Sequence, residues 1–176
     1  MPSFSYPSSR ASGYVVQAAD WNTDIVGNIQ WLGKDRPAVL AIETTNQSIT
    51  TGAGQAITYN DADVYDTMSQ HDVASNTSRI TCGSGNTGLY YFHASGLFAT
   101  HATATRTIAL RLNGTTELYK ISAAPNFAWY WTIEGFYRFT TSTDYMEVIA
   151  AQDSGAGLNI ANATFSSKFG AVWLGQ

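Results

Sequence analysis

Arg106-Thr107-Ile108-Ala109-Leu110-Arg111-Leu112-Asn113-Gly114 is the stretch on which the reading of the fold turns. Successive side chains of an extended chain point to opposite sides, so Ile108, Leu110 and Leu112 share one face and Thr107, Ala109 and Arg111 the other. Asn-Gly follows at once, and these two residues accept the positive φ that a tight hairpin demands. The spacing predicts a strand, a turn and a returning strand in a sheet with one buried face.

Working outward, short runs rich in β-branched and aromatic residues recur at 38–44, 56–60, 89–100, 115–121, 127–133, 136–140, 145–152, 158–161 and 169–174. Clusters of Gly, Asn, Ser and Thr separate them, and no second helical pattern intervenes. That arrangement predicts an all-β sandwich or barrel. Phe127-Ala128-Trp129-Tyr130-Trp131 is bulky on both faces. Such a strand is expected to be buried twice, once in its own sheet and once against a neighbour.

The front of the chain reads differently. Residues 1–17 are rich in Ser, Pro and Tyr, and Pro2 and Pro7 favour an extended arm. From Asp20, Trp21, Ile25, Ile29 and Leu32 recur at helical spacing, with Asp20 placed to cap the helix, Gly33 to stop it and Pro37 to block its restart. The expected organisation is therefore an arm and short helix over 1–36 and one β domain over 37–176. A helix of about 12 residues is marginal alone in water, so its apolar stripe must pack on something. It either plugs the end of the barrel or grips a partner, and Tyr6, Trp21, Ile25, Ile29, Trp31 and Leu32 are the candidate anchoring residues.

Composition narrows the function. The 176 residues are 44% hydrophobic and only 12% charged, which leaves little polar cover for a free surface and points to burial against other chains. Net charge is −4, with 1–36 balanced and 37–176 carrying six basic against ten acidic residues, the wrong sign for a nucleic-acid partner. Cys82 stands alone, so neither an internal disulfide framework nor a Cys-rich zinc site is expected, and it reads as a small buried side chain. The N-terminus lacks a basic region followed by an apolar run, and no stretch approaches the roughly 18 apolar residues of a membrane span. A soluble protein made in a cytoplasm, with no membrane partner, is the expectation.

Motifs of catalysis were sought by their mechanics. Gly83-Ser84-Gly85-Asn86-Thr87-Gly88 has the spacing of a dinucleotide fingerprint, but it precedes the strand-like Leu89-Tyr90-Tyr91-Phe92 instead of opening a helix, so it reads as a turn. His71, His93 and His101 are few and scattered; His93 and His101 share a face only if one strand runs through both. Asp61, Asp63, Asp66 and Asp72 form the one acidic cluster, and their spacing fits no EF-hand, so a solvated loop is expected. No nucleophile elbow, paired acid and base, or Cys with a nearby His stands out. No enzyme activity, cofactor or metal is expected.

From about residue 55 to 175 the chain resembles the tumour-necrosis-factor-like jelly rolls, which include the globular heads of complement component one-q, and especially their phage versions. The strings that carry the resemblance stand in the family's order: Ala56-Ile57-Thr58-Tyr59, Asp63-Val64-Tyr65-Asp66-Thr67 with His71-Asp72, and Asn76-Thr77-Ser78-Arg79-Ile80-Thr81. Gly88-Leu89-Tyr90, Leu112-Asn113-Gly114-Thr115, Asp144-Tyr145-Met146-Glu147-Val148 with Gln152-Asp153-Ser154-Gly155, and Phe165 through Trp173-Leu174-Gly175 follow. Ser142-Thr143 departs from the family's usual Ala-Gly before Asp144, which leaves that turn open. The segment from Ala18 to Ile29 is similar to a short element that opens many predicted phage structural proteins.

The resemblance implies a jelly-roll sandwich that packs as a homotrimer around a threefold axis. It also implies a place on the virion surface after assembly in the host cytoplasm. The leading expectation is a capsid decoration, or cement, protein of a tailed bacteriophage, held to the major capsid protein or other virion proteins by 1–36. The rival is a tail-fibre or head-fibre tip whose loops around Asp61 and Asp72 meet a host surface receptor.

Overall fold

A computed structural model of the chain describes residues 36–160 and 165–176, together with residues 12, 17–21, 25, 26 and 29. The chain separates into two compact units, Met1–Arg36 and Pro37–Gln176. In the first, a helical turn α1 spans Ala18–Trp21. Asp20 therefore lies inside that turn instead of capping it, because Ala18 and Ala19, the strongest of helix formers, already start it. The expected continuation of the helix and the arm over 1–17 fall for the most part outside the described residues. Among the described residues no helix is long and apolar enough to cross a membrane.

The second unit is built from strands in two antiparallel sheets. Among the described residues the larger sheet holds seven: β1 (Ala38–Glu43), β2 (Gln47–Ile49), β4 (Tyr65–Asp66), β6 (Gly88–Phe98), β9 (Trp129–Phe139), β11 (Leu158–Ile160) and β12 (Ser167–Gly175). β6 is its spine, paired along its whole length with β9 on one side and with β12 and β11 on the other. β1 continues the sheet beyond β12, and β4 closes that edge. The smaller sheet holds five: β3 (Gln55–Ala56), β5 (Arg79–Thr81), β7 (Arg106–Leu112), β8 (Thr116–Ala123) and β10 (Tyr145–Gln152). β10 pairs with β7 on one side and with β3 and β5 on the other.

The alternation expected at 106–112 is the strand β7, with Ile108 and Leu110 fully buried between the sheets. Asn113 and Gly114 take φ of 50° and 71°, and the Thr115 amide donates to Leu112 O, so the turn forms where Asn-Gly stands. A register shift between Leu110 and Arg111 absorbs the extra residue, and β8 starts at Thr116.

The inner faces supply one core: Tyr59, Tyr90, Phe92, Phe98, Phe139 and Phe169 are its largest fully buried apolar side chains. Phe92 meets the Phe139 ring edge-on at 5.4 Å and the Phe169 ring at 6.4 Å, so aromatic contact runs across β9, β6 and β12 on the inner face of the larger sheet. Cys82 is buried and free, as its isolation in the sequence implied, and burial, aided by the Asp144 charge, pushes its thiol up to about 11.

One break expected in the sequence is absent. The runs at 127–133 and 136–140 form the single strand β9, with Gly135 in its middle. A Cβ on Gly135 would stand 2.3 to 2.6 Å from the Tyr119 ring, so the glycine is there to let that ring lie across the strand. The Tyr119 hydroxyl then donates to Phe136 O at 2.9 Å and accepts from the Phe136 amide at 3.2 Å, which bonds the open edge of β9 to β8.

Pro37 and Gly175 lie at one end of the sandwich, where the Trp173 amide donates to Pro37 O at 2.9 Å. The opposite end is closed by the turns at 99–105, 124–128 and 153–157. Arg106 organises it: fully buried, its guanidinium donates to Ala99 O at 2.8 Å, to Phe127 O at 3.0 Å and to Pro125 O. A buried cation without a carboxylate is held here by aligned carbonyl dipoles.

Candidate assembly surface

The two sheets differ on their outward faces. On the smaller sheet paired polar groups flank the buried Ala109 and Ile149: Thr107 and Ser122 share a hydrogen bond of 2.8 Å, Arg111 meets Glu147 at 3.0 Å, and Arg79 lies 4.4 Å over the Tyr145 ring.

The larger sheet turns aromatic and aliphatic side chains outward. Phe136 of β9 is opposite Tyr91 of β6, Tyr91 is opposite Val172 of β12, and Val172 is opposite Ala38 of β1. The Phe136 and Tyr91 rings lie 5.2 Å apart, and Phe136 is 55% exposed. The neighbouring row runs Glu134, His93, Gly170, Leu40 and Tyr65. Tyr91 donates its hydroxyl hydrogen bond to Glu134, across the ladder between β6 and β9. That bond, more than the slight burial, keeps the phenol protonated above its ordinary range.

Gly170 makes a shallow depression in this row, lined by Leu40, Tyr65, Tyr91, His93 and Val172. A Cβ there would stand 3.1 Å from Val39 O and 3.2 Å from the Leu40 side chain, so the hollow exists because the residue is glycine. At the far end of the same face Tyr130 is 62% exposed and meets the Phe165 ring edge-on at 5.1 Å.

A sheet face facing only water is expected to alternate to polar residues, and contiguous apolar surface of this kind marks contact with another chain. The double burial expected for Phe127 to Trp131 is partly met: Trp131 is buried in the core at 3% exposure, while Tyr130 points outward. Sequence reasoning missed Tyr91, Phe136, Leu40 and Tyr65. Tyr90-Tyr91-Phe92, bulky on both faces in the same manner, was the available signal.

The candidate anchoring residues do not form a described cluster. Tyr6, Trp31 and Leu32 lie outside the described residues, and Trp21 is described only as part of α1. Ile25 and Ile29 are 39% and 64% exposed.

The acidic cluster has its oxygens turned toward neighbouring groups. Asp61 accepts from the Thr44 amide and hydroxyl, both at 2.7 Å, and Asp72 accepts from the amides of Ala74 and Ser75. Asp66 accepts from the amides of Met68 and His71, and Asp63 meets the His71 ring at 2.9 Å. Among the described residues no three side chains of ligating type converge on a point. His93 and His101 do not share a strand, because β6 ends at Phe98. His101 instead accepts from the amides of Thr103 and Ala104 within the following turn. The glycine string from Gly83 is a turn, with Gly83 and Gly85 both at φ of 78°.

Two curled antiparallel sheets with this strand order are a jelly roll of the tumour-necrosis-factor-like type. Solved structures agree. PRD1 vertex protein P5 superposes with a TM-score of 0.58 at 15% identity, over 81% of this chain and 99% of that one. Murine APRIL at pH 5.0 superposes with a TM-score of 0.55 at 13% identity, over 79% and 99%. Both have the same fold. No protein-family profile matches the chain, and no curated protein matches it.

Proposed function

We propose that this chain is a non-enzymatic structural protein of a virion, working as a homotrimer that packs through the outward face of the larger sheet. The observation that carries the assembly is the outward face of the larger sheet, where Phe136 and Tyr65 are exposed beside the half-buried Tyr91, Leu40 and Val172. A threefold arrangement closes the interface, whereas an open rotation would give filaments. The virion role is supported by the fold shared with PRD1 vertex protein P5.

Within that reading, the chain is a decoration protein on the capsid of a tailed bacteriophage, exposed on the particle surface. Residues 1–36, with Tyr6, Trp21, Ile25, Ile29, Trp31 and Leu32, provide attachment to the major capsid protein or another virion protein. Three arms on one trimer turn a modest affinity per arm into firm attachment. The test is to delete 1–36 and measure both the mass of the soluble particle and its binding to capsids that lack the protein. A trimer that no longer binds is expected; a trimer that still binds overturns the anchoring role.

One observation favours a second reading, a fibre tip that meets the host surface. Phe127, 64% exposed, stands in the 124–128 turn at the end of the sandwich opposite Pro37. Electron microscopy of particles labelled at residue 176 separates the two: label at regular positions over the shell belongs to decoration, and label at a tail or fibre end to host recognition.

A further inference from the structure

His71 has a fully buried side chain, and both of its ring nitrogens face oxygen. Nε2 lies 3.1 Å from Thr77 O, a carbonyl that also accepts from the Tyr59 amide at 2.9 Å. A carbonyl has no proton to offer, so Nε2 must carry one. Nδ1 lies 2.9 Å from Asp63 Oδ1. With Nε2 protonated, a neutral imidazole would present a bare lone pair to an ionised carboxylate. The contact is attractive only while one further proton sits between them, on the ring or on the carboxyl.

We propose that the proton shared by His71 and Asp63 is a latch on the 61–78 loop, and that its loss as pH rises releases the β4 edge of the larger sheet. The charged groups beside the ring are all carboxylates: Asp63 itself, Asp66 with its carboxylate on the His71 amide at 2.8 Å, and the adjoining Asp72. Tyr59 reaches Thr77 O through its backbone amide, and burial keeps its hydroxyl neutral. Burial also raises the Asp63 carboxyl above its ordinary value, with Asp66 adding to the rise and His71 opposing it. A raised carboxyl holds its proton to higher pH, so the latch is closed at low pH and opens as pH climbs.

β4 is only two residues long and depends on its flanks. The Val64 amide donates to Leu40 O at 2.9 Å and the Thr67 amide to Ala38 O at 3.0 Å, which ties both sides of Tyr65 to β1. Asp63 immediately precedes this pairing and Thr77 leads into β5. When the proton leaves, the repulsion between Asp63 and the ring acts at one end of the tied segment. Tyr65, which lines the depression at Gly170, moves with it.

Hydrogen exchange of the full chain, read by mass spectrometry between pH 5.5 and 9 and corrected for the intrinsic exchange rate, tests the latch. Peptides covering 61–78 are expected to lose protection by about tenfold across the range, the loss of one charge-assisted hydrogen bond, while peptides of β7 and β10 do not change. In Asp63→Asn the side-chain amide donates to the bare Nδ1 and the neutral ring is satisfied, so the 61–78 response should vanish. Constant protection in the wild type, or an undiminished response in Asp63→Asn, overturns the proposal. The nitrogen resonances of the His71 ring give an independent readout at pH 6: a doubly protonated ring, or a singly protonated ring beside a protonated Asp63, supports it, and a neutral ring beside an ionised Asp63 overturns it.

Discussion

The Asn113 side chain is clasped to Asp144, its Nδ2 donating to Asp144 Oδ1 at 3.0 Å while its own Oδ1 accepts from the Tyr145 amide at 2.8 Å. The two residues belong to different turns, so this exchange fixes the β7–β8 hairpin to the β9–β10 connection. Asp144 Oδ2 meanwhile accepts from the amides of Thr140 and Thr141 at 2.8 and 2.9 Å. Burial alone would raise this carboxyl, but the bonds from Asn113, Thr141 and Thr140 outweigh it and bring it down to about 2.

A carboxyl lowered in the folded state stabilises the fold above its unfolded value, and that contribution fades as pH falls from about 4 toward 2. Asp144→Asn is expected to cost about 1–2 kcal/mol at pH 7, allowing for solvent near the turn. The gap between wild type and variant should narrow as pH drops from 5 to 2, in urea titrations at each pH. A gap independent of pH would refute this role for the charge.

The outward face of the larger sheet predicts a separation of folding from assembly. Phe136→Arg changes a half-open side chain opposite Tyr91, so the fold should be altered by no more than about 0.5 kcal/mol. On the proposed assembly, the same variant should sediment as a monomer and the wild type as a trimer. Lys120→Glu on the smaller sheet is the control and should remain trimeric.

Arg106→Lys tests the buried cation. A Lys is shorter and lacks the planar fork, so the carbonyls of Ala99, Pro125 and Phe127 cannot all be satisfied. The expected loss is about 2–3 kcal/mol, seen as a lower melting temperature, with faster hydrogen exchange at 99–105 and 124–128. Unchanged exchange at those turns would mean that the guanidinium does not hold them.

Gly135→Ala should displace the Tyr119 ring and cost about 1–3 kcal/mol. Adding Tyr119→Ala removes the clash, so the double variant should lose less than the two single losses summed. Additive losses in the double-mutant cycle would show that the glycine serves another purpose.

How much of this was legible in sequence depends on range. β7 and its turn were, because alternation and Asn-Gly are local signals, and so was the glycine turn before β6. Ser142-Thr143, left open by its departure from Ala-Gly, makes a turn without positive φ: the Asp144 amide donates to Thr141 O, and Ser142 O accepts from the Gly83 amide. The continuity of β9 through Gly135 was hidden, since the reason for that glycine is a tyrosine sixteen positions earlier in the chain. Alternation also says which residues share a face and nothing about which face is covered. Hence the run at 127–131 showed bulk on both faces without showing that Tyr130 points outward, and the Tyr91–Phe136 pair became visible only with the register between β6 and β9. The α1 start at Ala18 was missed because a capping residue was weighed above two alanines.

Pro37, which leads into β1, stands beside Trp173 of the antiparallel neighbour β12, and β12 ends two residues on at Gly175. Tension between Pro37 and Gly175 would peel the six residue pairs of β1 and β12 apart one after another, each bearing the load alone. A pull that enters through residue 37 while the sheet face is gripped by neighbouring copies acts along β1 instead, and the six pairs resist together in shear. The same ladder is thus a weak zipper in one loading direction and a strong tether in the other.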